Sequence, residues 1–449
     1  MLDGTFATKN AASPSGYDVL PQSADVVIVG GGIVGVSTAY FLAGKGLSVV
    51  LCEKGGLGEE QSSRNWGWVR KMGRDVREMP LMLRAMDIWK DLNGRVGAET
   101  GFRVCGITYF FDKDEDAARY DPWVKAVAPF DLDTRFLSGA ELEGIAPNAT
   151  RRWAGALHTP SDGSAEPHLA TRAIAVGARK HGAMIVEACA ARGFETSGGR
   201  VSTVVTEKGP IRCNAVVLAG GSWSTFFARN MGVRLPQLKI LSQVARTRPL
   251  NGGPVGCGSG RGFGYRKRLD GGYNFSMRAL NPVDITPDSF RYFREYLPAL
   301  RHEGKGMLFR IGEASVRETL TPSHWALDQR TVFEKVRILR PKASDKVLNR
   351  ALANVREIFP AMGEIEVVER MAAWIDSSPD AIPVISGVDS VPGFYIATGF
   401  SGHGFGLGPA AGELMAQIVA GEKPSVDPTP FRHSRLVDGS PINHWPVAF

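Results

Sequence analysis

The chain has 449 residues, 43% of them hydrophobic and 22% charged, with 53 Lys and Arg against 46 Asp and Glu. That length exceeds the ~250–300 residues one core supports, so two domains are predicted, and the composition excludes a disordered or fibrous chain. The charge of +7 is spread among acids, no run reaches the ~18 apolar residues of a membrane span, and the five cysteines form no C-x-x-C; these features argue against a nucleic-acid module, an integral membrane protein and a structural zinc site.

Sparse, unpaired cysteines fit a reducing compartment, so a cytoplasmic location is expected, and the positive charge is compatible with peripheral membrane contact. Residues 1–23 combine an early Asp3 with polar residues and two prolines, which predicts a flexible N-terminal tail. Asp25-Val26-Val27-Ile28-Val29 then reads as a buried parallel strand. Gly30-Gly31-Gly32-Ile33-Val34-Gly35 follows, leading into a helix from Ser37 to Ala43 that Gly44 and Gly46 close. Leu47–Cys52 reads as a second strand with Glu53 at its tip. A G-x-G-x-x-G turn between strand and helix, with an acid ~20 residues on, is the dinucleotide-binding pattern. Gly30 permits the tight turn, Gly32 lets the backbone approach a pyrophosphate, and Gly35 lets helix and strand pack closely. The helix N-terminus around Ile33 and Val34 faces phosphate charge. Glu53, with Lys54 beside it, suits the ribose hydroxyls of an adenosine and repels a 2′-phosphate.

Glu59 to Val69 is a polar loop with two tryptophans, and Glu78–Asn93 is predicted as an amphipathic helix. Gly106–Phe111 reads as a strand and Asp114–Ala128 as a helix, and Ser138 with Glu141 has the spacing of a capping box. Leu169–Gly182 is predicted helical and Ala183–Val186 extended. Val201–Thr206 with Ile211–Cys213 reads as a hairpin, and Ala215–Trp223 as a further buried strand running into a glycine turn. Phe263–Arg268, Asp270-Gly271-Gly272 and Tyr273–Arg278 spell a second hairpin. Helices are expected at Phe290–Leu297 and Lys346–Ile358. Gly393–Gly399 reads as a strand, and Pro409–Val419 as a helix after a second glycine loop, Gly399 to Gly408. That loop also aims backbone N–H groups from a helix end, which suits the negative charge of a reduced flavin.

The glycine unit at Gly30–Glu53, the Ser62-Ser63-Arg64-Asn65-x-Gly67 loop, Val216–Trp223 and the Gly399–Gly412 region occur in one order across nearly the whole chain. The segment Gly155–Pro167 fits as a fifth. Together they resemble the D-amino-acid oxidase/glycine oxidase/sarcosine oxidase superfamily of FAD-dependent amine oxidoreductases. The resemblance implies an α/β FAD-binding (Rossmann-like, glutathione-reductase type) domain and a discontinuous α+β substrate domain with a mainly antiparallel sheet. The expected division is 24–100, 150–234 and 371–449 for FAD, and 101–149 and 235–370 for substrate. It further implies that Gly30, Gly32, Ile33, Val34, Gly35, Glu53 and Lys54 surround the ADP portion. Ser62, Ser63, Arg64, Asn65, Trp66 and Gly67 are expected near the ribityl chain or flavin. Ala191, Ala219, Gly220 and Trp223 are expected to border the dinucleotide, and Gly402, His403, Gly404, Phe405 and Gly406 the pyrimidine edge. Relatives that attach flavin covalently use a Cys just before the C-terminal proline stretch; Trp374–Pro379 has none, so noncovalent FAD is expected.

Glycine-oxidase-like members hold the substrate carboxylate with Arg at positions matching about Ile375 and Gly402, and neither is Arg here. Tyr265, Arg266, Arg278, Arg337 and Arg340 are the alternatives, and Tyr265 is favoured because strand alternation separates it from Arg266. Asp376 has two readings, attraction of a substrate ammonium or turn capping, and His403 likewise could act on substrate or hold its loop. Trp66 and Trp68 are candidate pocket walls that could equally be core, and Trp374 is a candidate substrate contact. The expected reaction is oxidation of an amine or amino acid by hydride transfer to flavin N5, with oxygen or a quinone carrier as acceptor. A 2-hydroxy acid or polyol dehydrogenase of the same fold, a non-catalytic flavin-binding electron-transfer partner, and an NAD-dependent dehydrogenase remain as rivals. Oligomeric state is left open.

Overall fold

The computed structural model describes residues 19–277 and 281–443. Arg278 and most of the expected N-terminal tail fall outside those residues; within that tail, Ser23 already belongs to the first strand, Ser23–Val29. Its β-branched residues sit in the middle of a sheet. Val49–Cys52 pairs with it on one side and Gly209–Leu218 on the other, both parallel. Met184–Val186 and Phe394–Thr398 extend the parallel set. The two strands expected around Cys213 are one, Gly209–Leu218. Its first half pairs antiparallel with Arg200–Thr206, and it then runs on beside Ser23–Val29 without a break, because Asn214 and Ala215 need no turn.

Helices Ile33–Gly44 and Gly404–Val419 pack on this sheet and on each other. The second starts five residues before the sequence predicts, so the second half of the glycine loop is helix. Its glycines serve contact rather than turning. A Cβ on Gly412 would stand 2.4 Å from Ser37 Cβ, and one on Gly408 2.9 Å from Ile33. Two helices that approach so closely need glycine at the crossing.

The other large sheet has the order Val367–Ser377, Leu238–Pro249, Gly272–Ser276, Phe263–Lys267, Cys257–Gly260, Ile107–Phe111, Gly155–Thr159, Arg135–Leu137. Only the pairing of Cys257–Gly260 with Ile107–Phe111 is parallel. Gly155–Thr159 and the end of Val367–Ser377, which the sequence assigned to the nucleotide domain, are strands of this sheet instead. One face carries Phe263, Tyr265, Tyr273 and Phe275, packed with Leu348, Leu352 and Val355 of helix Asp345–Ile358. The opposite face is lined by small residues, with Ser259, Gly264 and Ser276 in register.

The helix expected over Asp114–Ala128 breaks into Asp114–Ala117 and Asp121–Val127, because Pro122 cannot continue a helix and starts a new one. Ser138 caps nothing: Gly139 is the N-cap, and the Glu141 carboxylate turns to Arg135 at 2.6 Å. Among the described residues no helix is long and apolar enough to cross a membrane.

Candidate functional site

Both glycine turns open onto one continuous cleft. Its first part is lined by Gly30, Gly32, Glu53, Ala191, Ala219, Gly220 and Trp223. A second part, of about 1100 Å³, runs from Ile33 and Val34 past Trp66 and Trp68 to Gly402, Gly404 and Phe405. Gly32, Gln61, Ser62, Ala219 and Gly221 belong to both.

At the first turn Gly30 has φ +111°, and a Cβ there would lie 2.4 Å from the Ala219 carbonyl oxygen. A Cβ on Gly35 would lie 2.0 Å from the Gly30 oxygen. At Gly32, by contrast, a Cβ would meet only Ser62 Oγ, at 3.2 Å, so this backbone faces the cleft. Ser62 Oγ accepts the Ile33 N–H at 2.9 Å and so caps the helix from a distant loop. Glu53 accepts the Gly31 and Gly55 N–H groups, both at 2.7 Å. Burial raises its pKa above the ordinary carboxylate value, against the lowering effect of Lys54 and those two N–H groups. Lys54 donates to Glu60 and to the Val336 and Arg337 carbonyls, with its Nζ 4.5 Å from the Trp223 ring centre. Trp223 Nε1 donates to Glu60 at 3.0 Å. These partners lock the far end of the cleft in place. A dinucleotide fits this cradle: bare glycine backbone and a helix N-terminus sit where phosphate charge would lie, and a carboxylate lines the end where a ribose would lie.

The second turn is held by Asp376. Its Oδ2 accepts the Gly399 N–H at 2.7 Å and the Thr398 hydroxyl at 3.0 Å, and its carbonyl accepts the Ser401 N–H at 2.7 Å. Ser401 and Gly402 both have positive φ, 51° and 85°. Asp376 lines the cleft, but that oxygen is spent on the loop, which favours the turn-capping reading. His403 is the N-cap residue of the last helix and points away from the cleft to Glu78, Nδ1 to Oε2 3.1 Å. Burial first, then the Arg74 charge, push its pKa down to about 4 against the pull of Glu78. His403 is therefore neutral at pH 7, and because its ring is engaged with Glu78 and lines neither part of the cleft, the loop-holding reading is favoured over action on the substrate. An unfolded His titrates near ~6.5, so the stability tied to this site is full above that pH and is lost as pH falls toward 4. His403→Gln should flatten the decline in urea midpoint between pH 6.5 and 4, while leaving the pH profile of activity unshifted near neutrality.

Five other candidates lie away from the cleft or are engaged elsewhere. Tyr265 is buried on the aromatic face and donates its hydroxyl to the Val255 carbonyl at 3.1 Å. Alternation along the strand was read correctly, but the cleft lies on the Gly264 side, where Trp66 packs. Trp374 is buried opposite Leu241, its neighbours Ala373 and Ile375 facing the cleft. Arg340 is exposed and lines neither part of the cleft. Arg266 is buried in a bidentate pair with Glu166, both bonds 3.0 Å, and Arg337 pairs with Glu207.

Of the expected cofactor residues, Arg64, Asn65, Trp66 and Gly67 line the second part of the cleft. Arg64 donates to the Leu339 carbonyl, and Asn65 accepts the Gly67 N–H, so both also shape their loop. Ser63 and Gly406 line neither part; the Gly406 carbonyl accepts Trp89 Nε1 at 2.8 Å. Trp68 lines the cleft, stands edge-on to Trp66 with ring centres 4.7 Å apart, and donates Nε1 to the Tyr265 carbonyl. The sequence reading missed Gln61, Arg70, Arg74, Tyr109, Ser242 and Ser276 in the cleft. Gly264 was the available signal for the serines, since only small residues leave room on one face of a sheet; no sequence signal separates Arg70 and Arg74 from surface arginines.

A protein-family model described as "FAD dependent oxidoreductase" (DAO) matches residues 25–418. Among curated proteins, glycine oxidase of Pseudomonas putida is 25% identical over 433 residues, 91% of this chain and 98% of that protein. Among solved structures, L-amino acid deaminase from Proteus myxofaciens, in complex with anthranilate, is 36% identical with TM-score 0.89, over 93% of this chain and 94% of that one. L-proline dehydrogenase from P. horikoshii shares the fold at 24% identity and TM-score 0.75, covering 94% of this chain and all of that one.

Proposed function

The chain belongs to the DAO family of FAD-dependent oxidoreductases, and we propose that within it the protein oxidises the C–N bond of an amine or amino acid. The observation that carries this is the convergence of two glycine turns, more than 360 residues apart, on one cleft that continues past them to the small-residue face of a sheet. The relatives' names point the same way: one acts on glycine and one deaminates L-amino acids.

The chemistry FAD supplies when bound is acceptance of a hydride at N5 from the carbon that carries nitrogen. The chain's own residues position and insulate that event. Gly32 and Val34 would offer backbone amides to the pyrophosphate, while Ser62 holds the Ile33 N–H and keeps the helix end in place, and Glu53 would accept from the ribose. The N-terminus of helix Gly404–Val419 places its positive end at the pyrimidine edge. The second sheet would roof the flavin with its small-residue face, Ser259, Gly264 and Ser276, and would serve as the substrate domain. Trp66, Trp68 and Phe405 exclude water beside the reacting carbon. Since Asp376 and His403 are engaged elsewhere, the substrate enters as the free amine, and the imine product is hydrolysed to carbonyl compound and ammonia or amine. Flavin would be held without a covalent bond: among the described residues the cysteine that lines the cleft, Cys52, sits at its adenosine end.

The test is an anaerobic panel of amines, D- and L-amino acids and 2-hydroxy acids, followed at the flavin absorption band. Bleaching by amino compounds with release of ammonia or amine is expected; bleaching by hydroxy acids alone overturns the reading. Reoxidation of the reduced protein separates the acceptors. A quinone has a structural argument: residues 281–320 carry exposed Phe290, Phe293, Phe309, Ile311, Val316 and Leu320 interspersed with exposed Arg291, Arg294 and Arg301. This apolar and cationic mix suits an anionic lipid surface, and His302 and Met307 of the same module reach the cleft. Reoxidation faster by quinone than by air, together with co-sedimentation on anionic but not neutral vesicles, is the expected outcome.

A further inference from the structure

Resting on the reading above, we propose that Arg74, seconded by Arg70, binds a carboxylate of the substrate, which makes the substrates amino acids rather than simple amines. Both guanidinium-bearing residues line the second part of the cleft, in company with Trp68, Tyr109 and Phe405. Arg74 is only 2% exposed. Its Nε donates to the Arg70 carbonyl at 3.2 Å, while its Nη1 is buried without any hydrogen-bond partner. Glu78, the acid one turn away, gives its carboxylate to His403 instead.

A buried cation with an idle donor is costly unless an anion arrives. Burial above all, and then the charge of Arg70, push the Arg74 pKa down to about 9, against a pull from Glu78, Tyr109 and Asp162 that does not offset them. An anion lodged between the two would relieve both effects. The planar guanidinium fork matches a carboxylate bidentately, which a simple amine cannot exploit.

The position fits the chemistry as well. The backbone N of Arg70 lies 3.9 Å from where a Gly406 Cβ would be, so this segment passes over the first turn of the C-terminal helix, beside the flavin's place. Arg70 is steadied by Tyr109, its guanidinium 5.9 Å from the ring centre. Asp162 anchors the segment, accepting the Lys71 and Met72 N–H groups at 2.8 and 3.1 Å. A carboxylate held here would keep the neighbouring α-carbon in the part of the cleft walled by Trp66, Trp68 and Phe405.

The experiment compares the best amino acid of the panel with its carboxamide, and titrates anthranilate against the flavin absorption band. It uses the parent and the Arg74→Lys and Arg74→Gln variants as FAD-loaded proteins. The parent should prefer the acid over the amide by roughly 10- to 150-fold in kcat/KM, as charge-assisted hydrogen bonds require. Both variants should lose most of that preference, and anthranilate should bind them about 10-fold or more weakly, with FAD content and thermal midpoint kept. An unchanged acid preference in the variants overturns the proposal. So does an equal loss for acid and amide with unaltered anthranilate affinity, which would place the Arg74 charge on the flavin. If no amino compound bleaches the parent, the oxidation reading falls, yet the anthranilate titration still decides the role of Arg74.

Discussion

Gly35→Ala protein is expected to emerge from purification nearly free of FAD and with a lower unfolding temperature than the parent. The added methyl would sit 2.0 Å from the Gly30 carbonyl oxygen, a backbone atom that is itself pinned because Gly30 N–H donates to Cys52. Neither partner can yield as a flexible side chain would, so helix Ile33–Gly44 must move off the sheet. Overpacking of this kind typically costs about 1–3 kcal/mol, and more where backbone must shift. Gly32→Ala is the informative companion. Its Cβ would meet only a serine hydroxyl at 3.2 Å, and its φ of −73° is open to alanine. That variant should fold with a near-parental midpoint in the absence of flavin and still fail to retain FAD, because the methyl occupies the space of the pyrophosphate. The ratio of flavin to protein absorbance, with thermal midpoints measured on flavin-free samples, separates the two effects. A Gly32→Ala protein that keeps full FAD content would overturn the assignment of the phosphate site.

Arg266→Met is the second large effect expected. Arg266 and Glu166 are 2% and 4% exposed and make two parallel bonds that tie the second sheet to the start of helix Pro167–Lys180. Removing the cation strands the carboxylate in the interior, a loss of about 3–5 kcal/mol. Glu166→Gln combined with Arg266→Met should recover part of it, since an amide is cheaper to bury than a charge. The pair also sets an acid limit. Burial alone would raise the Glu166 pKa; the Arg266 bonds and charge, with the Leu269 N–H, overcome it and hold the pKa at about 2. The stability from this carboxylate is present above the unfolded value near ~4.3 and is lost as pH falls toward 2. Urea unfolding at pH 7 and pH 3 should show the parent losing stability across that window and the double variant losing less. Because a Cβ on Gly67 would lie 2.8 Å from Arg266 Nε, a disturbed strut should also displace the flavin-side loop and lower activity in parallel.

Much of the ADP end of the site could be read in one dimension. Gly30, Gly32, Gly35 and Glu53 lie within 24 consecutive residues, and strand, turn and helix are local structures whose requirements are written in adjacent side chains. The flavin end was legible as a segment but not as geometry. Sequence placed His403 in the right loop; only packing turned its ring toward Glu78. The same limit governs Tyr265. Period-two alternation separates the faces of a strand, but which face meets the cleft depends on where helix Asp345–Ile358 packs, some 80 residues later in the chain.

The division has a physical origin. Backbone conformation, glycine tolerance and the order of strands and helices are set by neighbours along the chain, so the amino-acid sequence by itself determined a nucleotide-binding turn, a second amide-rich turn and the family to which they point. Burial and charge pairing are set by neighbours in space. Arg74 and Arg266 carry the same side chain, yet the tertiary structure gives Arg266 a bidentate carboxylate partner and places Arg74 in the lining of the cleft. That difference arises only when segments 100 residues apart are brought together, because a guanidinium's role is decided by whichever anion shares its interior.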